Sequence, residues 1–213
     1  MKKTFLIITV ILIGVFFASC SANRGFVSNV TRDDIQQMAQ FEMFAHFGRV
    51  ENGISIIDND SVTNAAKLLF ATELANDETL SVTSTIIISD SIILNKVQEE
   101  IHWLMMFIEN PLTLGVKVKD IVIPPTIDSI LCSRNERFGL LIYNAGFYCP
   151  DGELKIGNNM FTACEGSTRS AIFIVDSNLK NLAYVATAYR NSNPLKTETY
   201  QKQMKDLLKK FRK

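Results

Sequence analysis

The chain has one tryptophan, two histidines, four cysteines and five prolines in 213 residues, with ten glycines. So little Gly and Pro excludes a collagen-like repeat or a low-complexity linker, both of which need far more. Lys plus Arg and Asp plus Glu number 22 each, so neither sign of charge dominates. With no basic block outside the last turns, nucleic acid is excluded as a main partner. No P-loop, no GxGxxG after a strand, no HExxH and no GxSxG occurs, so the common nucleotide, zinc-protease and serine-hydrolase signatures are missing. A single tryptophan also leaves little for an aromatic sugar platform. What is present is core: 47% of the residues are hydrophobic and 21% charged, the balance of a globular chain long enough to bury most of its surface in one domain.

The polar residues that could carry chemistry are thinly spread. Glu99 and His102 have the spacing of half a di-iron site, but a bundle site needs ligands from four helices, and no second copy follows. No metal, cofactor or catalytic residue is therefore assigned. Glu42 and His46 stand four apart, within reach of each other if they share a helix. A nucleophilic Cys132, Cys149 or Cys164 would need a base to form thiolate, and both histidines lie in the first half of the chain. The expectation is a protein that is not an enzyme, with a thiol-dependent enzyme as the weaker alternative.

The N-terminus is more specific. Lys2 and Lys3 precede an apolar run, Thr4 to Phe17, which is shorter than the roughly 20 residues of a spanning helix and reads as a secretory signal peptide. It ends in Phe17-Ala18-Ser19-Cys20. This resembles a bacterial lipobox, which implies cleavage after residue 19 and lipidation of Cys20 with acyl chains that hold the protein on a membrane. Ser21 stands where an inner-membrane retention signal would place Asp, so the resemblance implies the outer membrane. The absence of acidic residues from Ser21 to Gly25 favours the periplasmic side. Residues 20–30 then read as a lipid-anchored tether, and 31–213 as a single domain.

Such a compartment permits disulfides. Cys149 and Cys164 flank a turn-rich segment with a short alternating run at Leu154 and Ile156, and a bridge there would close a loop of about 15 residues. Three cysteines besides Cys20 allow three pairs, and the sequence does not choose among them.

Along the domain, Thr31 with Asp33 and Asp34 predicts a helix start, and Ile35, Met38, Phe41, Phe44 and Phe47 extend it to residue 47. A short strand at 54–57, a Ser61-capped helix to about 75 and a strand at 80–88 follow. The stripe Leu94, Val97, Ile101, Leu104, Met105, Ile108 predicts a helix over 90–110, stopped by Pro111. Residues 116–123 read as a strand, 127–134 as a short helix and 138–148 as a strand buried on both faces. The runs at 171–175 and 182–189 form a hairpin, and a Lys-rich amphipathic helix closes the chain after Pro194. This is an α/β (or α+β) domain: a mixed sheet with helices on its faces, a late antiparallel hairpin and a C-terminal amphipathic helix. Residues 194–213 carry seven Lys or Arg against Glu198 and Asp206. That is either a solvated face on a docked helix or a contact for anionic headgroups or a negatively charged partner.

The order of strand 54–57, a helix ending Leu74-Ala75-Asn76-Asp77, strand 80–88, strand 138–148, the hairpin centred on Val175-Asp176 and a closing Lys-rich helix resembles the α/β domain of outer-membrane assembly lipoproteins. The curli secretion channel lipoprotein and the penicillin-binding-protein activator lipoprotein represent that group. The resemblance is one of layout over residues 53–213. It implies a lipid-anchored envelope protein that acts through contacts with another envelope protein. Trp103, Met106 and Phe107, opposite the core stripe of helix 90–110, are the partner-contact candidates, with helix 31–47 as the layer that would cover them otherwise. A small-molecule or glycan-binding lipoprotein is the alternative and would need a pocket with convergent polar groups.

Overall fold

The computed structural model describes residues 25–27, 29–53, 55–110, 115, 117–156 and 160–212. The expected signal peptide and Cys20 lie outside them.

Strand β5 (Phe138–Tyr148) organises the rest. Along one side it pairs over its whole length with antiparallel β8 (Gly166–Asp176), which pairs in turn with β9 (Asn181–Arg190), the expected late hairpin. Along its other side run two consecutive parallel strands, β1 (Met38–Phe41) beside its start and β2 (Phe44–Glu51) beside its end. Outside them, β4 (Val82–Ile86) pairs parallel to β1, and β3 (Ser55–Asp58) pairs antiparallel to β2. The sheet is therefore mixed, as the alternation of elements in the sequence implies.

Helices cover both faces. Leu140, Ile142, Ile172 and Ile174 point toward α1 (Asp60–Ala75) and α4 (Thr197–Leu207); Leu141, Tyr143, Phe173 and Val175 point toward α2 (Ser91–Glu109) and α3 (Pro125–Ser133). The two-residue period of β5 and β8 thus feeds two cores. Gly146 permits the tightest approach within the sheet, since a Cβ there would lie 1.9 Å from the Ser167 carbonyl oxygen.

The helix expected over residues 31–47 does not form. Thr31 does meet Asp34, whose carboxylate accepts from the Thr31 backbone N–H and hydroxyl at 2.7 Å, but this closes only a 3-10 turn at Arg32–Asp34. The reason is a bulge at Glu42–Met43. Ala39 pairs with Gly139 and Phe44 with Tyr143, so five steps on one strand span four on the other. The extra residue reverses which side chains face which layer. Ala39, Phe41 and Phe44 pack toward α2, whereas Met43 and Phe47 pack toward α1. A spacing of three between Phe41, Phe44 and Phe47 mimics a helix and is in fact a strand that changes phase. Both layers hold the bulge, because Lys67 of α1 pairs with the Glu42 carboxylate at 2.7 Å and Gln98 of α2 donates to the Glu42 carbonyl at 3.1 Å. Glu42 and His46 are consequently not helix neighbours. His46 pairs instead with Asp58 across β2 and β3 at 3.1 Å.

Three further expectations change. In place of the strand expected over 116–123, residues 117–123 form a 3-10 turn, Val118–Asp120, followed by a single bridge from Val122 to Asn181. Ile121 and Ile123 point inward and Val122 outward, the alternation of a strand, but the run before Pro124-Pro125 has too little edge of β9 to pair with. Helix α1 is capped by Asn59, which accepts from Val62 N–H at 3.0 Å, rather than by Ser61. The tether expected at 20–30 is docked from Gly25 onward, since Val185 N–H donates to the Gly25 carbonyl and Val27 N–H to the Ala183 carbonyl.

Cys149 and Cys164 are joined in a disulfide, with Cα atoms 5.8 Å apart. It lies just beyond the β5–β8 ladder, at the base of a two-stranded arm formed by β6 (Glu153–Ile156) and β7 (Met160–Ala163).

Candidate docking groove

Helix α2 is set by its ends and its stripe. Asp90 accepts from Ile92 and Ile93 N–H groups and caps it, and Val97, Ile101, Leu104, Met105 and Ile108 are buried on the sheet. The opposite face holds the expected contact residues. Trp103 is 58% exposed and Met106 is exposed, while Phe107 is half-buried against the core. The Trp103 and Phe107 rings are 6.2 Å apart. None of the strands formed by residues 31–47 covers them, because those residues lie in the sheet.

Trp103, Leu104 and Phe107 form one wall of a groove of about 370 Å³, and Ile121 to Pro125 form the other. Val122, at 69% exposure, stands at its lip. Glu100 is the polar residue at its end, and its charge is already engaged. Pro124 occupies the cap position of α3 and offers no side-chain cap, so the Glu100 carboxylate accepts from Thr126 and Ile127 N–H, each at 3.0 Å. An anion at a helix N-terminus is satisfied there by the partial positive charge of the free N–H groups. The groove is left almost wholly apolar, a surface suited to an aromatic or aliphatic anchor and poor in groups that could orient a polar ligand.

Of the residues expected from the sequence as partner contacts, Trp103 and Phe107 line this groove and Met106 does not, while Val122 and Glu100, which do line it, were not singled out. The signal for Val122 was the exposed middle residue in Ile121-Val122-Ile123, which a strand assignment hid.

Other chemistry-bearing residues are dispersed. The His102 ring lies tilted 5.5 Å from Phe44, which lies parallel to Tyr143 at 4.9 Å. Glu109 of α2 pairs with Arg169 of β8 at 2.8 Å. Burial raises the Glu109 carboxyl above its ordinary value, with Arg169 working against the shift, and burial likewise raises the Tyr143 hydroxyl. Cys132 is exposed on α3, with Asp128 one turn before it and the Lys180 ammonium 3.4 Å from its sulfur. Its hydrogen-bond neighbours are Lys180 and Asp128, and neither histidine is among them. Lys180 bonds to both Asp128 oxygens at 2.8 Å, and that carboxylate holds its ammonium above the ordinary value. Among the described residues no three His, Cys, Asp or Glu side chains come together as a metal site. Nor is any helix among them long and apolar enough to cross a membrane. A shallow polar recess of about 280 Å³ lies elsewhere, between Arg32, Asp33, Gln36, Glu78 and Thr79.

No protein-family model matches the chain, and no curated protein does. Among solved structures, the chain is similar to the PelC dodecamer from Paraburkholderia phytofirmans, at 11% identity and a TM-score of 0.38 over 88% of this chain and 94% of that one. A point variant of that dodecamer gives 10% identity and the same score over 90% and 97%. The LpoB C-terminal domain from Salmonella enterica gives 11% identity and a TM-score of 0.30 over 78% and 88%. A likeness this loose assigns neither activity nor partner to this chain.

Proposed function

We propose that this is a lipid-anchored protein of the bacterial outer membrane, facing the periplasm, that works by holding another envelope protein and not by turning over a substrate. Residues 1–19 act as the signal peptide, Cys20 carries the lipid, and the folded domain presents the groove between α2 and Ile121–Pro125 to the partner. The observation that carries the reading is the open apolar groove with Trp103 standing 58% exposed beside Val122. Large aromatic side chains left in solvent beside a concave apolar wall are the usual anchors of protein interfaces. The Cys149–Cys164 disulfide is in keeping with an oxidising compartment.

The test is site-specific crosslinking in cells. A photoreactive phenylalanine replacing Trp103 should label one envelope protein in the anchored chain. The same group replacing Asn64, exposed on α1, should not. Trp103→Ala should abolish capture while leaving the melting temperature within a few degrees of the parent, as expected for a solvent-facing side chain. Equal labelling from both positions would sink the groove as the docking site. Loss of the fold in Trp103→Ala would instead assign that side chain to the core.

A further inference from the structure

The two ends of the described chain meet. Gly25 lies against the last turn, so close that a Cβ there would be 2.9 Å from the Lys210 side chain. Phe26 stacks on Phe211 at 5.5 Å and meets Tyr184 edge-on at 5.2 Å, and Gly25 and Val27 bond to the edge of β9. The incoming chain is thereby fixed beside the C-terminal end of the last helix. Cys20 stands five residues before Gly25. Five fully extended residues reach at most about 17 Å, so a membrane holding Cys20 cannot lie far from this point.

That neighbourhood is basic. Helix α4 buries Tyr200, Met204 and Leu207 and leaves Lys202 and Lys205 exposed at i and i+3, and the turn after it adds exposed Lys209 and Lys210. The nearby acids are engaged by other cations: Asp206 by Arg190, Asp77 by Arg212 and Glu165 by Lys196. Glu198 remains in the first turn of α4, at the end away from Lys209 and Lys210, and Asp33 and Glu78 line the polar recess beside Phe211.

We propose that the lysine face of α4 is a contact surface for the anionic phospholipid headgroups of the leaflet that holds the anchor. The lipid on Cys20 supplies attachment, and the lysines supply orientation. Anionic headgroups attract clustered Lys within about a Debye length, roughly 8 Å at physiological salt. The layer of α1 and α4 then faces the membrane. The groove, on the other side of the sheet, faces away from it and is free for a partner. This inference rests on the lipid-anchor reading.

The experiment uses the intact lipidated protein in vesicles, probed by brief lysine acetylation and mass mapping. One set is phosphatidylethanolamine with a third phosphatidylglycerol, and the other is phosphatidylcholine alone. On the anionic vesicles Lys202, Lys205, Lys209 and Lys210 should react about three- to ten-fold more slowly than on the neutral ones, and high salt should remove the difference. Lys96 and Lys119, exposed on the opposite layer, should react equally on both. The triple variant Lys202→Glu, Lys205→Glu, Lys209→Glu should lose the protection of Lys210 at an unchanged melting temperature. Equal labelling on the two vesicle types overturns the proposal. So does protection seen only in native outer membranes, which would assign this face to another envelope component. The mass of the N-terminal peptide is read in the same samples. A chain without lipid at Cys20 overturns the anchor reading itself, whereas a lipidated chain with equal labelling overturns only the orientation.

Discussion

The two helical layers share one sheet and finish their outer surfaces in opposite ways. The α1 and α4 layer is closed. Between α4 and the sheet lies a buried polar seam, with Ser170 Oγ 3.0 Å from both Asn144 Oδ1 and Gln203 Oε1, and Gln203 Nε2 donating to Thr168 Oγ1 at 2.8 Å. A hydroxyl has one proton and cannot donate twice. Turning the Asn144 amide so that its nitrogen donates to Ser170 completes the chain of donors and also satisfies that nitrogen. Outside the seam α4 presents Lys202 and Lys205, and α1 presents Asn64, Leu68 and Thr72. Among the described residues the α2 and α3 layer has no such seam, and its outer surface includes exposed Trp103, Met106 and Val122. Amphipathic patterning decides which side of a helix is inside, while the composition of the outer side carries the information about what the protein meets.

Substitutions in the two cores carry the largest expected effect. Ile101→Ala in α2 and Leu207→Ala in α4 each remove a fully buried side chain. Each should cost about 3 kcal/mol, and thermal unfolding of the pair should show both layers carrying similar weight in the fold. A far smaller loss for one would mean that layer folds only loosely. Next in size is the disulfide, which closes a loop of 15 residues and should contribute about 3 kcal/mol or less. Because it lies at the sheet end and in neither layer, Cys149→Ser should lower the melting temperature without altering protease protection of α2 or α4.

A smaller effect distinguishes the layers by pH. Burial works to raise the Asp77 carboxyl, but hydrogen bonds from Thr79 and the Arg212 guanidinium outweigh it and hold the group below its ordinary value. An acid with a depressed folded value stabilises the fold above the usual carboxylate pKa of about 4 and loses that contribution as pH falls through the folded value. Hydrogen exchange should therefore show the turn after α4 loosening in acid before α2 does, and Asp77→Asn should loosen it at neutral pH. The smallest expected effect is that of Trp103→Ala on stability, within about 0.5 kcal/mol by denaturant titration.

Much of this organisation was legible in the sequence. The stripe of α2, the all-apolar β5 and the β8–β9 hairpin each carry a periodicity that only one element type explains, and the groove residues Trp103 and Phe107 follow from the stripe they oppose. The N-terminal third was not legible, because a one-residue bulge at Glu42–Met43 shifts a two-residue period into an apparent three-residue one. Nothing local marks that bulge. Its supports, Lys67 and Gln98, come from two different helices far along the chain. Val122 was misread for a related reason: alternation predicts a strand only where an unpaired neighbour is available, and β9 has one residue to spare there.

The same bulge has a bearing on solubility. Because β1 and β2 lie end to end along β5, the outer side of the sheet is split between β4, five residues running one way, and β3, four residues running the other. Exposed Ile56 and Ile57 on β3 would template self-association on a long flat border. Here each border stops after four or five residues, and the opposite margin, β9, is occupied in part by Gly25–Val27 and Ile121–Ile123. Crowded molecules would thus meet short, interrupted ladders in place of a continuous one.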